Sequence, residues 1–173
     1  IPITVDGGIK SVENGKKILR KGADKISINS SAIKNKFIIQ DLSKELGSQS
    51  VVLSIQAKAR GDNNWEAFYL NGREPSGKDV IEWVKEAENL GAGEILLSSV
   101  DKDGMESGMD LNLINEVSQA VKIPIIASSG ANNLKEIKLI LDETNVNAIA
   151  IGSSLHSGRI KISELKNYLS KKN

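Results

Sequence analysis

Residues 1–32 read IPITVDGGIKSVENGKKILRKGADKISINSSA, and residues 123–155 read IPIIASSGANNLKEIKLILDETNVNAIAIGSSL. With one residue inserted near Thr144, the two stretches follow one plan. Each has a short apolar run, a glycine turn, a helical period, a second apolar run and a turn of small polar residues. Gly8 falls on Gly130, Asn29 on Gly152, Ser30 on Ser153 and Ser31 on Ser154. A β-branched run followed by 3.6-residue periodicity marks a strand–helix unit, and repetition of that unit points to a parallel sheet.

The same alternation fills the space between the two copies. Strands are expected at 2–5, 25–29, 51–56, 94–99, 124–127 and 147–151, and helices near 11–21, 32–46, 78–90, 110–121, 133–142 and 163–171. Val80, Ile81, Val84, Ala87 and Leu90 share one helical face. Asp110 and Ser163 are suited to cap the helices that follow them. Gly22, Gly47 and Gly91 are suited to end helices in the left-handed conformation. Six βα units with right-handed crossovers follow, in one domain over residues 1–173. One connection breaks the rhythm: ARGDNNWEAFYLNGREPSG, 59–77, is too long for a plain βα loop and reads as a small hairpin or a lid over a site.

Composition excludes several classes. Lys and Arg total 23 against 22 Asp and Glu, so nothing suggests a nucleic-acid or anionic-membrane partner; only the terminal SKKN is visibly basic. The absence of cysteine rules out disulfides and thiolate metal sites, and His156 is the one histidine, too few for a metal centre. No apolar run reaches the length of a spanning helix and no secretory signal is present, so a reducing cytoplasm is expected. The first residue is Ile and it enters a strand almost at once, as expected of a fragment.

Small residues at the carboxyl ends of parallel strands let a ligand approach the backbone, and free amides in such turns favour a phosphate. A single DGG would read better as a plain tight βα turn. The paired pattern points instead to two phosphate grips, hence to a substrate with a phosphate at each end.

The motifs GADKISINSSA, GSQSVVLSI, GAGEILLSSVDKDG, SGMDL and IPIIASSGA cover essentially the whole chain. In them the chain resembles the cyclase subunit family of imidazole glycerol phosphate synthase, from histidine biosynthesis. That resemblance implies a (β/α)8 TIM barrel, here its third to eighth units with the first two absent. It implies a bisphosphorylated ribulosyl nucleotide as substrate and ammonia from a glutaminase partner. The products would be imidazole glycerol phosphate and an aminoimidazole carboxamide ribotide, and no cofactor is expected. One phosphate would sit on Gly8, Asn29 and Ser30, the other on Asp103, Gly104, Gly130, Gly152 and Ser153.

The family uses two aspartates on opposite sides of the barrel mouth, one as general base and one as general acid, because separated carboxylates can hold different protonation states. The first belongs to a strand this sequence does not contain. The second belongs where Gln56 stands, on the same strand face as Ser54 and Lys58. An amide hydrogen-bonds a substrate but shuttles no proton near neutral pH. Losing such a group costs a factor of roughly 10² to 10⁴, so impaired cyclisation is expected. Asp101 and Asp103 read as turn formers, and Asp6 stands where the family usually has glycine.

At the other end of the strands, Lys25 and Glu94 match family residues around the ammonia entrance, and Asp24 matches the glutaminase interface. An ordinary ion pair is the plainer reading, although inward Lys and Glu at strand starts are unusual in a packed core. His156 reads as a loop residue. Two other readings stand beside this one, and the first of them fits less of the pattern. A phosphosugar isomerase of the same superfamily shares the phosphate turns but not the Lys–Glu entrance. A non-catalytic module, a partial barrel binding a phosphorylated ligand or a glutaminase without turnover, is favoured by Gln56 and by the missing first strand. Six strands also leave two open edges, so self-association is expected.

Overall fold

In the computed structural model, which describes residues 1–105 and 107–170, the strand–helix alternation is realised in full. The elements run β1 (Thr4–Asp6), α1 (Val12–Arg20), β2 (Lys25–Ile28), α2 (Ser30–Lys34), α3 (Phe37–Leu46), β3 (Val51–Gly61), β4 (Asn64–Tyr69), β5 (Glu74–Asp79) and α4 (Val80–Asn89). They continue with β6 (Glu94–Ser99), α5 (Leu111–Ala120), β7 (Ile125–Ser128), α6 (Leu134–Glu143), β8 (Ala148–Ala150), α7 (Ser153–His156) and α8 (Ile162–Ser170). One sheet carries β1-β2-β3-β6-β7-β8 in that order, every neighbouring pair parallel. This is the sheet of a (β/α)-barrel over six units, with β1 and β8 at its two edges.

Alternation along the strands separates two faces. In β6, Ile95, Leu97 and Ser99 are buried while Glu94, Leu96 and Ser98 are only half-buried. Ile95 and Leu97 pack with Ile26, Leu53, Ile55, Ile125 and the helix residues Ile39, Leu42, Val84, Leu113 and Ile137 into one apolar core between sheet and helices. Burial of that continuous apolar layer is the main force holding the sheet to its helices. The opposite face carries Lys25, Ser27, Ser54, Gln56 and Glu94.

Local chemistry explains the element ends. Ser11, Asp79, Asp110 and Asn133 accept from the backbone N–H of Asn14, Glu82, Leu113 and Glu136, each satisfying an orphan donor of the first helical turn. Asp110 is therefore the cap expected of it. Ser163 is not: α8 begins at Ile162, with Leu165 N–H donating to Lys161 O, so Ser163 lies inside the first turn. The last residue of the helix expected at 163–171, and the basic tail 171–173, lie outside the described residues.

The helix expected over 32–46 is two helices. Asn35 is extended (φ −147°, ψ 99°), and its side chain accepts from Phe37 N–H, so the local side-chain bond replaces the helical ladder there. The strand expected at 51–56 runs on to Gly61, because its second half pairs antiparallel with β4, which pairs in turn with β5. The long 59–77 segment is thus a two-stranded extension of the sheet. Its Trp65 is buried and donates from Nε1 to Asp110 Oδ2 (3.1 Å), tying β4 to the start of α5.

Candidate functional site

The internal repeat is visible in backbone angles. Gly7 and Gly8 have φ of 94° and 73°; their counterparts Ser129 and Gly130 have φ of 75° and 86°. Asn29 (φ −132°, ψ −78°) and Gly152 (φ −115°, ψ −80°) share a conformation, and each precedes a short helix, α2 or α7. Two left-handed residues after the first strand and one matching turn after the second therefore occur in both copies. The four turns lie at the carboxyl ends of β1, β2, β7 and β8.

At the first copy these turns border a cavity of about 910 Å³. It brings together Gly8, Asn29 and Ser30, which the sequence singles out, and includes Gln56 on its sheet side. Lys10, Lys34 and Arg73 also line it, together with Asp6 and Glu74. Those three cations were not legible beforehand, since they come from the β1–α1 turn, the end of α2 and the β4–β5 turn. Asp6 Oδ1 accepts from Gly7 N–H (2.8 Å), so this turn spends one of its own backbone donors internally.

The hairpin covers the cavity. Gly72 N–H donates to Gln56 Oε1 (2.8 Å), Asn29 Nδ2 donates to the same oxygen (3.0 Å) and to Phe68 O (3.2 Å), and Leu70 N–H donates to Ser30 Oγ (3.2 Å). Gln56 thus faces the mouth as the strand alternation requires, with Lys58 further along, over the Phe68 ring.

Asp103, Gly104, Gly130, Gly152 and Ser153 do not border that cavity. They stand at the carboxyl ends of β6, β7 and β8, where Ser154 Oγ donates to Ala131 O (2.6 Å) and joins the last two turns. Residues around Gly108 lie so close to Gly130 that an added Cβ would sit 2.3 Å from Gly108 O. Asp101 Oδ2 accepts from Ala59 N–H (2.8 Å), which makes it a turn anchor between β6 and β3. His156 closes the one-turn helix α7, an element not anticipated because four residues carry too little periodicity to read.

At the amino ends of the strands, Lys25 and Glu94 pair across β3 at 2.8 Å. Asp24 accepts from Ile3 N–H (2.7 Å) and donates its own N–H to Ile3 O (2.9 Å), holding the entry to β1. Among the described residues no helix is long and apolar enough to cross a membrane.

A parallel sheet of βα units with paired glycine turns at its carboxyl rim defines the class of (β/α)-barrel proteins. The family model for the histidine biosynthesis protein matches residues 1–161, and the chain belongs to that family. It is similar to imidazole glycerol phosphate synthase subunit HisF of Clostridium botulinum strain Okra, 49% identical over 170 residues that are 98% of this chain and 67% of that protein. The subunit of the same name from Streptococcus sanguinis is 46% identical over 96% of this chain and 66% of its own length. That from Trichormus variabilis is 44% identical over 98% and 67%. The chain therefore spans about two-thirds of the length of the curated relatives it matches.

Proposed function

We propose that the chain is the phosphate-binding portion of an imidazole glycerol phosphate synthase cyclase subunit. Its substrate would be the bisphosphorylated ribulosyl nucleotide, with one phosphate on the backbone of Gly8, Asn29 and Ser30 and the other on Asp103, Gly104, Gly130, Gly152 and Ser153. The observation that carries this reading is the doubled turn geometry, with matching angles at Gly7–Gly8 and Ser129–Gly130 and at Asn29 and Gly152. Two like turns at one rim suit a ligand with like groups at its two ends. The cations Lys10, Lys34 and Arg73 favour the anion at the first turn.

Closure of the imidazole ring requires a proton donor and a proton acceptor. Gln56, at the position of the family's general acid, supplies neither, and its carbonyl oxygen is already held by Asn29 and Gly72. This favours binding without efficient turnover. At the opposite end, Asp24, Lys25 and Glu94 form the charged surface that a glutaminase delivering ammonia would meet.

The test is a binding and turnover pair on this chain. The bisphosphorylated ribulosyl nucleotide should bind saturably and be recovered unchanged after incubation with ammonium. Release of aminoimidazole carboxamide ribotide at the rate of a full-length cyclase subunit would overturn the assignment of Gln56. Absence of binding would overturn the phosphate assignment.

A further inference from the structure

Gln56 does more than vacate a carboxylate position, because the polarity of its contacts is fixed by two backbone groups. Gly72 N–H can only donate, so the atom of Gln56 facing it at 2.8 Å is the oxygen. Phe68 C=O can only accept, so the Asn29 atom facing it at 3.2 Å is the nitrogen, which also donates to Gln56 Oε1. Side-chain amide orientations are usually ambiguous; here both follow from their main-chain partners. The amide nitrogen of Gln56 is thereby turned away from Asn29 and Gly72. Among the described residues it has no hydrogen-bond partner, and Gln56 borders the cavity.

The geometry points to a double role for Gln56: its oxygen latches the β4–β5 turn over the cavity, and its NH₂ group presents donors to the ligand. The position therefore selects a hydrogen-bond acceptor, such as a hydroxyl, carbonyl or phosphoryl oxygen, next to the anion held at Gly8 and Ser30. A carboxylate of the same length would keep the latch, since it also accepts, but would turn a second acceptor toward an acceptor. The latch also spends both N–H groups of Asn29 on the protein, so that this residue offers a ligand its backbone rather than its side-chain NH₂. This inference rests on the phosphate reading of the cavity.

The experiment follows amide resonances of this chain during titration with ribose 5-phosphate. The Gln56 NH₂ signals should shift together with the Gly8 and Ser30 backbone amides, and Gly72 N–H should exchange slowly in the free protein. Gln56→Glu should keep Gly72 protected and weaken ribose 5-phosphate binding about tenfold or more. Gln56→Leu should lose the Gly72 protection by a similar factor; if it fails to fold, Gln56→Glu alone still reads both roles. Shifts at Gly8 and Ser30 with Gln56 NH₂ unmoved would overturn the donor role while leaving the phosphate reading intact. Loss of Gly72 protection in Gln56→Glu, or its survival in Gln56→Leu, would overturn the latch. No shift at any of these amides would overturn both this inference and the phosphate reading beneath it.

Discussion

Lys25 Nζ lies 2.8 Å from Glu94 Oε2, joining the amino ends of β2 and β6 across the strand between them. The lysine side chain keeps 34% of its exposure and the glutamate 14%, so the carboxylate is the more deeply held partner. An ion pair of this kind is costly to break from one side, because the remaining charge loses its partner without regaining water. Lys25→Met should destabilise the fold by about 1–3 kcal/mol, and Lys25→Met combined with Glu94→Leu should recover most of that loss. Urea unfolding of the two single variants and the double variant closes the cycle. If the double variant loses as much as the sum of the singles, the pair is not a coupled unit.

The second glycine turn carries a strain that the first does not. Ser129 holds φ at 75° where its counterpart is Gly7. A non-glycine residue pays about 1–2 kcal/mol for that region, and glycine returns part of the gain through unfolded-state freedom. Ser129→Gly should therefore stabilise by about 1 kcal/mol. Gly130→Ala should destabilise by more than that, because it adds the same backbone penalty to a Cβ placed 2.3 Å from Gly108 O. Thermal unfolding that ranked the two variants the other way would contradict the described turn.

Acid should loosen the hairpin. Glu66 Oε1 accepts from Gly77 N–H (2.7 Å) and Oε2 from Arg60 Nε (2.7 Å); the Gly77 bond first, then the guanidinium, hold its carboxyl below the ordinary value of 4.5. A depressed carboxyl contributes stability that is fully present above pH 4.5 and is lost as pH falls through the lower folded value. The stability gap between the parent and Glu66→Gln should therefore be constant at neutral pH and narrow below pH 4.5. A gap that widened with acid would reverse the assigned sign.

Among the described residues the strands β1 and β8 each have one neighbour, which leaves a row of backbone groups without a strand partner at either edge. Two copies of the chain pairing across those edges would satisfy both rows. Sedimentation velocity should show a dimer whose fraction rises with concentration; a strictly monomeric, cooperatively folded species would rule that association out.

How much of this was legible depended on how far apart in the chain the interacting groups lie. The six parallel strands were readable because each Val, Ile and Leu run is bounded by turn residues and repeats a neighbour's plan. Gly8 with Gly130 and Asn29 with Gly152 were readable as pairs, and their backbone angles agree with the pairing. The break at Asn35 was not, because its apolar period continues through it and only a side-chain bond to Phe37 N–H decides the outcome. Nor was the cavity's cationic wall. Lys10, Lys34 and Arg73 carry no shared spacing, and it takes the hairpin's latch onto Gln56 to make Arg73 line the same cavity as the other two. The resemblance drew attention to Gln56, but the direction of its amide required Gly72 and Phe68 to be in place.

The central claim is that the two sets of turns grip two phosphates of one ligand, and thermal unfolding of this chain with the bisphosphorylated ribulosyl nucleotide tests it most directly. At 100 times its dissociation constant the ligand should add about 2.7 kcal/mol to the folded state, seen as a raised midpoint. Gly152→Ala is the control for the second grip. A Cβ there meets nothing within 4 Å, so the ligand-free midpoint should be unchanged while the ligand-induced rise shrinks. A cooperative transition that the nucleotide does not move, or a rise that Gly152→Ala leaves whole, would contradict the account.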